Sequence, residues 1–374
     1  MSEKKRILFV ANVAKEHINK FHLPSIQCFK ENRWEVDVAC NLDEDIPYCD
    51  TAYNCSWKRT PFTIDTIKGI NELKKIINKN NYDVVYCHTP VGGLVARIAA
   101  KDARKNGTKV IYFAHGLHFY KGAPLLNWLV YYPIEKWLST KTDAIFLIND
   151  EDYNLVKKNF CVKYVKKFPG IGVNFNRLKV DSPKEIRKQY RERFGIADDD
   201  LVLIYVAELL PNKNQEYLLY ALKKVLEVKE NTILLLVGPD HCNGKYKVLA
   251  DNLGLGDKVI FTGWRNDIGE LLCTADICVA SSIREGFGIN LVEAMYHGLP
   301  VVAVKNRGHE TIIKDGKNGF LVPLNNSDKM AEKVLQIAND SELRTKVTNV
   351  DIEGFDSERV AEAIVDVIEE IVAG

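Results

Sequence analysis

No run of about 18 apolar residues occurs anywhere in this 374-residue chain, so no segment reads as a membrane-crossing helix. The nine cysteines form no Cys-x-x-Cys pair and keep no regular spacing, which argues against both a disulfide framework and a zinc ribbon. Cys28, Cys40, Cys87, Cys161 and Cys278 lie in apolar contexts and read as reduced core thiols. No grouping of residues at metal-ligand spacing is evident, so no metal site is expected. Repeats of solenoid length and low-complexity segments are missing as well. Basic residues are dispersed and form no recognisable nucleic-acid module, so nucleic acid is not an expected partner. Met1-Ser2-Glu3-Lys4-Lys5-Arg6 leads straight into an apolar run rather than a signal peptide, and a cytoplasmic location is the expectation.

Net charge is also small, at +1, but it is unevenly spread. Residues 1–180 carry 28 Lys+Arg against 18 Asp+Glu, and the remainder carries 23 against 32. A basic first half fits an anionic partner such as a lipid surface or a lipid diphosphate, and it equally fits ordinary surface charge.

What the chain does have is 46% apolar residues, enough for two cores at this length. Apolar runs at Ile7–Ala11, Glu35–Ala39, Asp83–Cys87, Lys109–Phe113 and Ala144–Ile148 alternate with helical patterns, and the second half repeats this at 201–206, 232–237, 258–261, 277–279 and 301–304. That alternation predicts an α/β chain of two Rossmann-like, doubly wound parallel-sheet domains facing a central cleft. Pro169-Gly170-Ile171-Gly172-Val173-Asn174 marks the join, giving domains 1–172 and 173–356. Lys184–Arg193 reads as a charged surface helix beyond a linker, and 357–374 as an amphipathic helix with Val360, Ile364, Val367, Ile368 and Ile371 in phase. Leu125–Tyr132 fits either an interfacial aromatic surface or a core helix; the absence of a clearly polar face favours core.

The stretch Ser281–Met295 organises the second half. An apolar strand ends in a turn bearing Gly286 and Gly288, and Asn290–Tyr296 has helical spacing up to Gly298 and Pro300. A helix N-terminus in such a turn presents backbone N–H groups and positive dipole to an anionic or oxygen-rich ligand. Glu285 precedes the helix and Glu293 follows within it; helical side chains lean toward the N-terminus, so both carboxylates can address one crevice. Carboxylates accept from sugar hydroxyls, so amides and carboxylates together suggest a nucleotide-sugar site. On these residues alone, a solvated loop acid and a dipole-complementing helical acid remain an open alternative. After the run at 201–206, Lys213 sits beside another helix start, placed to neutralise a diphosphate.

Glu285-Gly286-Phe287-Gly288 through Glu293-Ala294-Met295, then His297–Ala303 and Gly316–Pro323, resemble the Glu-seven-Glu motif and closing segment of the family 4 retaining glycosyltransferases, two-domain enzymes of GT-B fold. His17–Pro24, Phe113–Pro124 and Tyr131–Leu138 are similar to blocks of the capsule and exopolysaccharide members, so the resemblance covers most of the chain. It implies transfer from a nucleotide-diphosphate sugar, expected to be a UDP-hexose or UDP-N-acetylhexosamine, to a hydroxyl of a lipid-linked saccharide. No metal or other cofactor is implied, and peripheral contact with an anionic membrane at the inner face is. The first domain would serve the acceptor, with the helix 357–374 crossing back onto it, and the second would bind the donor. Glu285, Lys213 and His115 would act at the reaction centre, His115 reaching the donor sugar or its phosphate across the cleft. Gly286, Phe287, Gly288, Ile289, Glu293 and Arg265 would bind the donor. His22, His88 and His118 are read as satisfied structural histidines. Glu208 stands where the family usually has Arg, which shifts the diphosphate's charge onto Lys213, backbone amides, Arg265 or Arg284. A non-hydrolysing nucleotide-sugar epimerase and a non-catalytic partner of the same fold are the competing readings.

Overall fold

A computed structural model describes residues 4–58, 60, 61 and 63–374. They form two compact units, one comprising the chain up to Gly172 with Phe355–Gly374, the other Val173–Gly354. In the first, β1 (Arg6–Val13), β2 (Glu35–Asn41), β3 (Thr51–Asn54), β4 (Val84–His88), β5 (Lys109–Ala114), β6 (Ala144–Leu147) and β7 (Tyr164–Lys167) make a seven-stranded sheet in the order β3-β2-β1-β4-β5-β6-β7. Every pairing is parallel, with Val10 opposite Ala39 on one side and Cys87 on the other.

Side chains alternate between faces of a strand. Leu8, Val10, Val85, Cys87, Val110 and Tyr112 therefore share one buried face with Leu73 and Val95 from the helices Ile64–Asn80 and Pro90–Ala99. The opposite face carries rings, with Phe9 and Tyr86 centroids 5.1 Å apart and Phe29 edge-on to Phe9 at 5.9 Å. The helix Leu23–Glu31 covers that face together with the terminal helix Ser357–Ala373, and Trp34 Nε1 donates to Glu369 Oε1 at 3.0 Å. Gly172 has φ +84°, and a Cβ there would lie 2.4 Å from the Ser357 Cα, so both its conformation and its neighbour require glycine.

The second unit has β8 (Leu201–Val206), β9 (Thr232–Val237), β10 (Val259–Gly263), β11 (Ile277–Ala280), β12 (Val301–Val304) and β13 (Phe320–Val322), all parallel in the order β10-β9-β8-β11-β12-β13. In each sheet the winding reverses once, between β1 and β4 and between β8 and β11. Ligand sites of open parallel sheets lie beyond the strand carboxyl ends at such reversals.

Two expectations change, and a third gains detail. The charged helix Pro183–Arg193 lies on the surface as expected, with one edge anchored to its unit. Arg187 and Arg191 each donate to an Asp276 oxygen, at 2.7 and 2.8 Å, and Arg191 is buried. Asp276 also accepts from Val202 N at 2.8 Å, so the two arginines fasten the helix to the start of β11. Cys161 is exposed, whereas Cys28, Cys40, Cys55, Cys87 and Cys278 are buried, and burial pushes the Cys278 thiol up to about 12. Finally, the helix Leu125–Ser139 is only partly core. Trp128, Tyr131 and Tyr132 pack inward, but Leu125, Leu126 and Leu129 are 73%, 66% and 65% exposed. Among the described residues no helix is long and apolar enough to cross a membrane.

Candidate active site

In the second unit two loops leave adjacent strands at the reversal and bind each other through one backbone and two side-chain-to-backbone hydrogen bonds. After β8 the chain makes a short turn at Pro211–Lys213, then Asn214 takes φ +54° before the helix Gln215–Leu226. After β11 it runs through Ser281–Glu285 into the helix Ile289–Tyr296, entered through Gly288 at φ +113°. Ile283 N donates to Asn212 O at 2.8 Å, Asn212 Nδ2 donates to Arg284 O at 3.0 Å, and Ser281 Oγ donates to Lys213 O at 2.7 Å.

These contacts fix Lys213 and Glu285 against each other, with Nζ 2.5 Å from Oε1. Ser282 Oγ donates to the same oxygen at 2.6 Å, which leaves the hydroxyl to accept from Tyr205, 2.7 Å away. The order Tyr205 to Ser282 to Glu285 is therefore a directed chain of hydrogen bonds ending on one carboxylate. Burial works to raise the Glu285 carboxyl; the Lys213 ammonium, its hydrogen bond and that of Ser282 outweigh it and hold the group below its ordinary value. Glu285 is thus ionised at neutral pH, and Lys213 supplies its counter-charge.

The helix Arg307–Ile312 closes this loop from behind. Asn306 caps it by accepting from Gly308 N and His309 N, and donates through Nδ2 to Ser282 O at 2.9 Å. A Cβ at Gly308 would come within 2.7 Å of the Glu285 Cβ, so glycine is required by close approach. His309 Nδ1 donates to Val304 O at 2.6 Å, and its buried Nε2 has no partner among the described residues. Burial lowers the His309 pKa against the opposing pull of Glu285.

Glu293 lies further along the helix, 4% exposed, and is paired with Arg177 of the turn Phe175–Leu178. Phe175 stacks on Tyr296 at 4.7 Å and 7°, which fixes that turn to the same helix. Glu208 faces His241, with Nε2 3.8 Å from its carboxylate, and does not take part in the Lys213 pair. Arg265 donates to Asp267 at 2.7 Å, and Tyr190 donates to the same carboxylate. Its charge is therefore met within its own turn. Of the residues picked from the sequence, the structure joins Lys213 and Glu285 beside Gly286–Ile289, puts Glu293 with Arg177, and keeps Arg265 with Asp267. Tyr205, Arg177, Asn306 and His309 belong to this site without a sequence signal, since none falls in a motif.

His115 is in the first unit, directly after β5, among three other histidines. Its ring centroid is 5.0 Å from that of His17 and 5.2 Å from that of His22, while His88 lies 3.8 Å from His22. His88 is fully buried and neither of its ring nitrogens has a partner among the described residues, which corrects its reading as a satisfied structural histidine. An unmet buried polar group costs about 1–3 kcal/mol. A cavity of about 340 Å³ opens alongside, lined by Asn12, His17, Thr89, Leu94, Tyr131 and Glu135 among others.

Comparison with known proteins bears on both units. The family model "Glycosyl transferases group 1" matches residues 186–350, and "Glycosyl transferase 4-like" matches 6–149. The chain is 44% identical to the "Putative glycosyltransferase EpsD" of Bacillus subtilis over 92% of its own length and 90% of that protein's. It is 27% identical to the Escherichia coli UDP-Gal:alpha-D-GlcNAc-diphosphoundecaprenol alpha-1,3-galactosyltransferase, covering 89% of this chain and 87% of that one. Among solved structures, Anabaena Alr3699/HepE in complex with UDP and glucose superposes with TM-score 0.77 at 22% identity, over 98% of this chain and 100% of the other. The lipopolysaccharide-biosynthesis glycosyltransferase WaaG superposes with TM-score 0.72 at 18% identity, over 97% and 99%. At these identities the structural likeness establishes the fold.

Proposed function

Since this chain belongs to the group 1, family 4-like glycosyltransferases of GT-B fold, we propose that it is a retaining enzyme moving a sugar from a UDP-sugar onto a hydroxyl of a lipid-linked saccharide. The assembly of an exopolysaccharide or capsule is the setting this reading implies. The observation that carries it is the Lys213–Glu285 pair, held by Ser282 beyond the carboxyl ends of β8 and β11. The name of the Escherichia coli relative gives a UDP-galactose donor and a diphosphoundecaprenol-linked acceptor, and the Anabaena structure was determined with UDP and glucose; both support a UDP-sugar.

In this reading the Lys213 ammonium and the amides of Gly286, Phe287, Gly288 and Ile289, at the positive end of their helix, stabilise charge on the departing diphosphate. Glu285 accepts from hydroxyls of the donor sugar and fixes its orientation. Glu293 accepts from the ribose hydroxyls, sharing its carboxylate with Arg177. Arg265, spent on Asp267, shapes the turn that faces the base. The acceptor oxygen bonds to the anomeric carbon as the bond to the diphosphate breaks on the same face, and the hydroxyl proton passes to a phosphate oxygen. Incubation with a panel of nucleotide sugars and a polyprenyl-diphosphate saccharide tests this. UDP release that depends on acceptor, with the donor's anomeric configuration kept in the product, is expected. Conversion of a nucleotide sugar to its epimer without acceptor would replace the reading by an isomerase, and no turnover of any donor would replace it by a binding role.

The exposed leucines of the helix Leu125–Ser139 support a peripheral membrane role for the first unit. Lys136 and Lys141 lie on or just after the helix, and the helix also lines the 340 Å³ cavity through Tyr131 and Glu135, so a helix resting on lipid would present that cavity to a lipid-linked acceptor. Leu125→Ser, Leu126→Ser and Leu129→Ser combined should weaken partitioning onto phosphatidylglycerol vesicles by about tenfold or more, from the apolar area withdrawn. Equal sedimentation of variant and wild type with such vesicles would refute it.

A further inference from the structure

We propose that His17, His22, His88 and His115 form a binding site for one divalent transition-metal ion, with zinc as its best-fitting occupant. The four come from separate elements of the first unit. His17 lies in the π-helical turn Ala14–Asn19, His22 caps the helix Leu23–Glu31, His88 ends β4, and His115 follows β5. One ring nitrogen from each lies within 4.8 Å of all the others. Zinc holds imidazole nitrogens at about 2.0–2.1 Å in a tetrahedron, which places the nitrogens about 3.3–3.4 Å apart. His17 Nε2 and His22 Nε2 are already 3.3 Å apart. The ring centroids of His17, His22 and His115 stand 5.0–5.2 Å apart, as three imidazoles on one tetrahedral ion would, and His88, whose ring now lies 3.8 Å from that of His22, would swing away from it to take the fourth position.

Independent observations point to a ligand at this spot. Both ring nitrogens of buried His88, and Nε2 of His115, have no hydrogen-bond partner among the described residues, an arrangement native interiors rarely leave unoccupied. The backbone at His17 is π-helical, a costly local form that concentrates at functional positions. Imidazole donors suit zinc, nickel, copper and iron, and an all-nitrogen tetrahedral shell selects zinc among them. His17 also lines the 340 Å³ cavity, which gives the ion a way in.

Four protein ligands leave no open coordination position, so the ion is structural: it ties the loop after β1 to the ends of β4 and β5. A ligated His115 would be held in a fixed orientation rather than free to carry protons. This assignment does not depend on the donor-site reading, because the residues concerned lie wholly within the first unit.

The test uses the full chain, freed of metal with a chelator and titrated with cobalt(II), then zinc. Uptake of one cobalt per chain is expected, with the strong visible absorption of a four-coordinate nitrogen site that zinc abolishes. Zinc should also raise the unfolding midpoint of the chelator-treated protein by several degrees. His17→Gln, at the half-buried edge where folding is least at risk, should weaken zinc binding by about tenfold or more, and H22Q/H88Q should abolish it. Cobalt spectra no stronger than those of the aquo ion, or zinc affinity unchanged in folded His17→Gln, would overturn the proposal.

Discussion

Lys213→Ala and Glu285→Gln should each lower glycosyl transfer on the order of 10²–10³-fold while leaving the fold intact, because in the proposed mechanism each removes a preorganised charge from the reaction centre. The two residues share one hydrogen bond, so their effects should not add: the double variant should fall little below the worse single one. Their pH behaviour separates a charge partner from a spectator. Glu285 is held below its ordinary pKa in the folded chain, so the stability it contributes is present above its unfolded pKa and is lost as pH falls through the folded value. In Lys213→Ala burial is opposed mainly by the Ser282 hydrogen bond that remains, and the carboxyl rises. The acid limb of both transfer and stability should then move to higher pH, measured as residual turnover and as the urea midpoint across the acid range. An acid limb that stays in place would mean that Lys213 does not set the state of Glu285.

The second large effect is on stability and arises from a buried ion pair of the first unit. Arg97 is fully buried, and its guanidinium donates to both Glu135 oxygens at 2.8 and 3.0 Å and to Gly93 O at 2.8 Å, while lying 4.1 Å from the Tyr112 ring centroid. Burial works against its charge, and the Glu135 carboxylate outweighs that, so the guanidinium stays ionised. Arg97→Ala would strand the carboxylate and should cost about 3–5 kcal/mol, since a broken buried pair leaves an unmet charge. Replacing both partners, as in R97M/E135L, should recover most of that loss, because apolar packing substitutes well for a buried ion pair. Urea unfolding of the three proteins checks this; a single variant within about 1 kcal/mol of wild type would show that water reaches the pair.

Central strands and the glycine-bearing loop after β11 were legible in the sequence because their signals are local. β1, β4, β5, β8 and β9 are buried on both faces and so read as unbroken apolar runs. β3 and β7 escaped because both are edge strands whose residues are largely exposed and carry no alternation. Glu285 and Lys213 could be paired from the sequence only through the resemblance; their separation of 72 positions closes up because β8 and β11 are neighbours. Arg177 on Glu293, Arg187 and Arg191 on Asp276, and the four histidines are long-range meetings of single residues, for which periodicity holds no information. The leucines of the helix Leu125–Ser139 misled for a different reason. Apolar residues surround that helix, so the sequence could not say which side faced the sheet.

Calorimetric titration of UDP into the wild-type chain and into Lys213→Ala tests the central claim most directly, since it reads donor binding without needing the acceptor. One UDP per wild-type chain, with affinity about tenfold or more weaker in the variant from loss of a charge-assisted contact, is the predicted result. No heat with the wild-type chain, or equal affinity in the two proteins, would contradict a donor site built around Lys213 and Glu285.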